Sequence, residues 1–394
     1  MNAGPSLVVV ANTRLPSERA QALQVLQSAA AFARAGASVE VLHARRSREL
    51  ALAPGEDLFT HYGVPAGPRP KVTAVPCLDW IERVPVALQY APARLQELSF
   101  SRNAARTIRE RHANAWVLSR EIECARELAR AGHKGLFLEL HRVPGGGTRR
   151  RWLLEAARGA SGLVAISGGV REDLVALGLA PESMEVAHDG FESERFARVP
   201  SRADARRELR LDANARVVVY TGGLMEWKGV EVLVDAARRL PETTFVIAGG
   251  AREDLERVRA HAKNIANVRF DGFQPPSRVA LYLRAADVGV VPNRSKPEIS
   301  ARYTSPLKVF EAMACGLPLV ASDLPSLREL LQHGKDAWLV APDDPEKLAE
   351  GLRQLLDDSE LRQRLARGFS ARAAAHTWDA RSRQLLEWMA RRAR

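Results

Sequence analysis

Cysteine is scarce in this chain, and the three present, Cys77, Cys124 and Cys315, show no CxxC or CxxH spacing. Neither a disulfide framework nor a zinc site is supported. Long apolar runs are missing too. Nowhere do 18 apolar residues follow one another, which argues against a membrane-spanning helix. The opening "MNAGPSLVVVAN" has no basic segment before its short apolar run, so no export signal is recognisable and a reducing cytoplasm is the expected compartment. The two common phosphate-binding signatures, GxGxxG and GxxxxGKS/T, are absent, and readings as an NAD or ATP protein lose their best support.

What is present suits a globular chain. With 394 residues, 46% hydrophobic and 27% charged, it can bury two or three full cores. A formal charge of +11 and a pI near 10.0 raise the question of an anionic partner. The excess gathers in residues 101–150 and in the tail from 351, and the spacing of Arg102, Arg106 and Arg109 puts them on one helix face. An arginine-rich solvated surface is one reading. Attraction to an anionic substrate or to an anionic membrane, peripherally at its inner face, is the other. Nucleic acid is disfavoured, because no aromatic-interleaved basic strand accompanies the charge.

Short β-branched runs alternate with helical stretches. "SLVVVAN", "SVEVLHA", "GLFLELH" and "GLVAIS" fall in the first half; "RVVVYTGG", "TTFVIAGG", "NVRFDGF", "DVGVVPN", "PLVAS" and "AWLVAP" fall in the second. Continuous apolar strands separated by helices indicate parallel sheet covered on both faces. The polar run 191–216 places a linker near 197–203. The expectation is α/β: two doubly wound domains, 1–198 and 199–373, with 374–394 a separate C-terminal helix. Ligands of such sheets lie at the carboxyl ends of strands, and two facing domains put the main site in the cleft between them.

Two anion sites are then expected in the second domain. "YTGGLMEWKG" sets Gly222 and Gly223 after a strand and Lys228 before a helix, where glycine lets a phosphate approach the backbone and lysine adds charge. Taken alone, a tight turn with a surface lysine explains it as well. In "YTSPLKVFEAMACGLPLVAS", Ser305 can cap a helix begun at Pro306 and ended by Gly316. Its free N–H groups, from about Leu307 and Lys308, would meet a diphosphate. Glu311, one turn on and followed by apolar residues, would then accept from ribose hydroxyls. Pairing with Lys308 three residues back is the alternative.

"GGLMEWKG", "VRFDGFQPPSRVALYLRAADVGVVP" and "SPLKVFEAMACGLPLVASD" resemble the second-domain motifs of glycosyltransferase family 4, retaining enzymes of the GT-B fold. "NTRLPSERAQALQVLQSAAAFARAGASVEVL", "LELH", "AISGGVREDL" and "VAHDGFE" extend the likeness to the first domain, so it covers nearly the whole chain. The resemblance implies two Rossmann-like domains facing each other across a cleft, the second binding a nucleotide-sugar donor, the first an acceptor, and a last helix crossing back to the first. It makes Lys228 the holder of the donor diphosphate and Glu311 the second glutamate of a Glu-x7-Glu motif. The donor set is then Gly222, Gly223, Lys228, Tyr303, Thr304, Ser305, Leu307 and Glu311. Two positions depart from the pattern. The first glutamate falls on Tyr303, and the arginine usual five residues before the lysine falls on Gly223. Glu298, in "NRSKPEIS", is a carboxylate that could take the glutamate's place.

In the first domain, His141 ends the strand "GLFLELH" and resembles the family's active-site histidine. Glu139 points to the same side by the period of two and would orient it or bind acceptor hydroxyls. Arg14 would face an anionic acceptor or enter an ion pair. Arg120 resembles a position in the same branch without a derivable role. No Asp-x-Asp occurs in the chain. The implied enzyme is a metal-independent, retaining glycosyltransferase of the hexosyl type, with no cofactor and with His141, Lys228 and Glu311 as its catalytic residues. It would act on a glycan or lipid-linked acceptor of the cell envelope. A non-hydrolysing nucleotide-sugar epimerase and a silent nucleotide-sugar-binding protein are the rival readings.

Overall fold

A computed structural model describes residues 4–17, 19–47, 52 and 54–393. The chain divides into two units. One comprises the chain through Ile166, Val170–His188 and the stretch from Trp378 on; the other comprises Ser167–Gly169 and Asp189–Thr377.

The first unit is built on seven strands, β1 (Ser6–Ala11), β2 (Ser38–Ala44), β3 (Lys71–Val75), β4 (Trp116–Ser119), β5 (Leu136–Leu140), β6 (Gly162–Ala165) and β7 (Met184–Val186). All pair in parallel, in the order β3-β2-β1-β4-β5-β6-β7. The apolar runs of β1 and β5 explain the centre of the sheet: every residue of "LFLEL" is buried, as a strand covered on both faces requires. Strands β3, β4 and β7 had no counterpart among the expected runs. β3 is half-exposed and carries Lys71 and Thr73, and β4 and β7 have only four and three residues, too short for alternation to register.

The second unit has six parallel strands, β8 (Arg216–Thr221), β9 (Thr243–Ala248), β10 (Val268–Gly272), β11 (Val288–Val291), β12 (Leu319–Ser322) and β13 (Ala337–Val340), in the order β10-β9-β8-β11-β12-β13. All six were expected. Side chains of β8 alternate between two cores: Val217 and Val219 join Phe310 and Met313, while Val218 and Tyr220 join Leu233 and Leu352. Each such valine or leucine contributes roughly 1.5–3 kcal/mol by leaving water, so the turn after β8 is anchored from both faces.

The units part at 188/189 and 377/378, where the sequence suggested 198/199 and 373/374. Phe191 and Phe196, 5.8 Å apart edge to face, lie in a core of the second unit, so the start of the polar run 191–216 is packed into that unit. His376 stacks at 5.6 Å on Phe310 and stays with that unit. The helix Trp378–Arg392 packs in the first unit against Ala20–Arg34, with Trp388 5.6 Å from Phe137.

Candidate functional site

In an open parallel sheet a ligand sits beyond the strand carboxyl ends where the strand order reverses. In the second unit that point lies between β8 and β11. Gly222 leaves β8 with φ +116°, a conformation that favours glycine, and a Cβ there would stand 3.7 Å from Lys308 Cε and 3.8 Å from its Nζ. Gly229, at φ +69°, lies so close to the Pro292 carbonyl that any Cβ would collide with it. The loop bearing Lys228 is thereby held against the chain that follows β11.

Lys228 Nζ lies 3.8 Å from the centroid of the Trp227 ring, and Lys308 Nζ lies 3.5 Å from that of Tyr220. Neither has a carboxylate or hydrogen-bond partner among the described residues. Lys308 as a whole is half-buried, yet its Nζ is shielded from solvent and unpaired. Burial brings the Lys228 ammonium down to about 7. Burial, and next the charge of Lys228, hold Lys308 well below the usual lysine value, with Glu311 offsetting part of it. Two uncompensated amines beside a glycine turn form a site for an anion. Asn293, just beyond β11, is wholly buried with both amide atoms unpartnered. Neither Lys308 Nζ nor Asn293 was marked by the sequence as part of a site.

The helix runs Leu307–Cys315 and ends at Gly316 with φ 60°, as expected. Its start differs. Pro306 is the N-cap residue without a side-chain cap, and Ser305 Oγ instead accepts from the Asp189 N–H at 2.9 Å. The N–H groups of Leu307 and Lys308 have no intrahelical partner by position. Glu311, 7% exposed, pairs with Arg195, not with Lys308. Arg195 carried no site signal because it sits in the polar, strand-poor run 191–216. Tyr303 is buried and its hydroxyl donates to Glu298 Oε2 at 3.4 Å; Thr304 Oγ1 donates to the Ile299 carbonyl at 2.7 Å. Gly223 has an ordinary φ, and its carbonyl accepts from the Tyr220 hydroxyl.

In the first unit, β5 and the C-terminal helix build a second cluster. His141 Nε2 is 2.8 Å from Glu139 Oε1, and Glu139 Oε2 accepts from Arg381 Nη2 at 2.9 Å. Arg120 Nη2 lies 2.8 Å from His141 Nε2 and 3.4 Å from Nδ1; with the Nε2 proton given to Glu139, Nδ1 is the acceptor. Burial and then the Arg120 charge lower His141 to about 4, so the imidazole is neutral at ordinary pH. Burial would raise Glu139, but Arg381, the His141 hydrogen bond and Arg120 outweigh it and hold the carboxyl well below its usual range. Arg381 also donates to the His188 carbonyl at 2.9 Å. Arg14 pairs with Glu82 at 3.1 Å within the same unit, so its charge is already met.

Glu97, Glu121 and Glu123 bring carboxylate oxygens within 4.8 Å of one another near the β1/β4 reversal. Arg149 stands 2.6 Å from Glu97 and Arg94 3.2 Å from Glu123, so guanidinium groups answer these charges. Burial pushes Glu121 up to about 7, and its Oε1 accepts from the Asn12 N–H at 2.7 Å.

Two parallel, doubly wound units in one chain define the GT-B fold class. The chain resembles Anabaena HepE, solved in complex with UDP, with a TM-score of 0.73 over 98% of this chain and 100% of that one, at 20% identity. Residues 201–369 match the family of glycosyl transferases group 1, in agreement with the likeness read from the motifs of the second domain. It is 32% identical over 248 residues to a D-inositol 3-phosphate glycosyltransferase of Frankia alni, covering 59% of each chain. With the protein of the same description from Acidothermus cellulolyticus it shares 34% over 217 residues, 51% of this chain and 46% of the other. The chain thus spans about half the length of the curated relatives it matches.

Proposed function

We propose that this protein is a retaining glycosyltransferase that moves a sugar from a nucleotide-sugar donor to an acceptor hydroxyl. The observation that carries the reading is the pair of uncompensated amines, Lys228 and Lys308, at the strand reversal of a domain that matches the glycosyl transferases group 1 family. Sugar transfer leaves a nucleoside diphosphate on which negative charge develops, and fixed cations and helix N–H groups aimed there stabilise the transition state. Lys228 and the N–H groups at Leu307 supply this without a metal, in keeping with a chain that has no Asp-x-Asp. Binding of UDP by Anabaena HepE supports a nucleoside diphosphate as the ligand class.

Glu311 accepts from the donor ribose, for which Arg195 must share or yield its hydrogen bond. The front-face displacement of the resembling family needs no side-chain nucleophile: a donor phosphate oxygen takes the acceptor proton as the new glycosidic bond forms and the sugar–phosphate bond breaks. His141, neutral and fixed by Glu139, contributes a hydrogen-bonding edge to the reacting sugars. A lipid-linked or cell-envelope acceptor, with peripheral contact to an anionic membrane, is supported by the first unit's surface. There Leu78, Trp80, Val86, Leu88 and Tyr90 are exposed within one segment, followed by the exposed arginines of the helix Tyr90–Arg111. Exposed aromatic and aliphatic residues beside arginines suit a lipid interface. No helix among the described residues is long and apolar enough to cross a membrane. Thermal-shift screening against nucleotide sugars tests the reading: a donor at a hundred times its dissociation constant adds about 2.7 kcal/mol, and no response to any of them removes it.

A further inference from the structure

Lysine at a buried, unpaired position costs stability unless a ligand uses it. Lys308 fits that description. Its ammonium rests on the Tyr220 ring and faces Lys228 and Glu311; the carboxylate of Glu311 is engaged by Arg195, and the neighbouring Lys228 only adds repulsion. A Cβ at Gly222 would stand 3.8 Å from this Nζ, so the glycine turn at the end of β8 lies beside the ammonium. The next residue, at position 223, has no side chain where an arginine is usual in the resembling family. One cation is missing from the loop, and an amine without a hydrogen-bond partner lies beside it.

We propose that Lys308 is the second cation of the diphosphate site, taking from the helix side the place left empty at Gly223. The inference rests on the donor-binding reading above and adds a residue to it. Lys228 and Lys308 then hold the diphosphate between them, and the N–H groups at the start of Leu307–Cys315 complete the cradle. The arrangement accounts for an ordinary glycine at 223: with Lys308 beside the turn, an arginine there would bring a third cation against two already uncompensated.

The test is calorimetric binding of UDP, GDP and ADP, and of uridine, guanosine and adenosine, to the full chain and its variants. For whichever diphosphate the wild type binds, Lys308→Met should weaken it about tenfold or more, as loss of a charged hydrogen bond does, and should leave the matching nucleoside unchanged. Because a buried, unpaired amine is removed, the ligand-free variant should melt no lower than wild type. Adding Gly223→Arg to Lys308→Met should recover most of the lost affinity. The new side chain has an ordinary φ and meets only the end of Met225, whose Sδ would lie 2.9 Å from the added Cβ. A Lys308→Met chain that binds the diphosphate within about twofold of wild type overturns the proposal, as does a loss shared equally by the nucleoside or a double variant as weak as the single one. A wild type that binds none of the three diphosphates overturns the donor reading, and this inference with it.

Discussion

Arg195 and Glu311 form a buried ion pair inside the second unit, their side chains 8% and 10% exposed. The carboxylate assigned to the ribose is therefore never bare in the ligand-free protein, and its loss is felt by the fold as well as by the site.

Truncation and neutralisation of Glu311 should consequently differ. Glu311→Ala leaves Arg195 buried without its counter-ion and should cost about 3–5 kcal/mol of stability. Glu311→Gln keeps the size and a hydrogen bond, so it should lose less stability while lowering kcat/KM by roughly 1.5–3 kcal/mol equivalent. Urea unfolding and steady-state kinetics on both variants check this. Equal effects of the two on stability would show that the ion pair is not what holds the residue.

Binding of the diphosphate should weaken as pH rises. In the free protein burial lowers Lys228 to about 7 and Lys308 well below the usual value; a bound diphosphate raises both. Above about pH 7 the free Lys228 is therefore neutral while the bound one is charged, so binding takes up a proton, and the lowered Lys308 adds uptake of the same sign. Affinity should be fullest below that pH and fall by up to about tenfold per pH unit between 7.5 and 9 through Lys228, with Lys308 acting in the same direction. Titrations in buffers of different ionisation enthalpy report the uptake directly. An affinity that stays flat to pH 9 would mean ordinary, solvated lysines.

Acid should weaken the first unit in two steps of the same sign. His141 has a folded value near 4 against about 6.5 in an unfolded chain, so the unfolded state binds more protons and stability falls as pH drops below 6.5. Glu139, held well below 4.5, contributes stability above that value and loses it at lower pH. Thermal unfolding at pH 7.5 and 5 should show a drop in wild type that is reduced in His141→Asn. An equal drop in both would place the acid sensitivity elsewhere.

The exposed arginines give a salt-dependent expectation. Arg102, Arg106 and Arg109 lie on the solvent side of Tyr90–Arg111, and each basic residue near an anionic surface contributes about 1 kcal/mol. Wild type should co-sediment with phosphatidylserine-containing liposomes at low salt and less at high salt, and a chain with all three changed to glutamate should not. Wild type that ignores such liposomes at low salt would favour a soluble acceptor.

The second sheet was legible because five of its six strands are largely apolar, β10 alone carrying Arg269 and Asp271, and because the turn at Gly222 and the helix end at Gly316 have conformations that favour glycine. Partners distant in sequence were not legible. Arg195 meets Glu311 across 116 positions and Arg381 meets Glu139 across 242; local patterns carry no information about such pairs. Phe191 and Phe196 were hidden by the charged residues between them. Lys308 was read as a helix residue offering its N–H or a neighbour for Glu311, because spacing along a helix says nothing of the ring and turn that enclose its side chain.

Product stereochemistry in the presence of EDTA tests the central claim most directly. With the donor selected by thermal shift and a suitable acceptor, proton NMR should show an anomeric signal of the donor's configuration appearing in step with nucleoside diphosphate, at a rate unchanged by EDTA. An inverted product, or activity abolished by EDTA and restored by manganese or magnesium, would contradict an enzyme that meets the leaving charge with Lys228, Lys308 and a helix N-terminus.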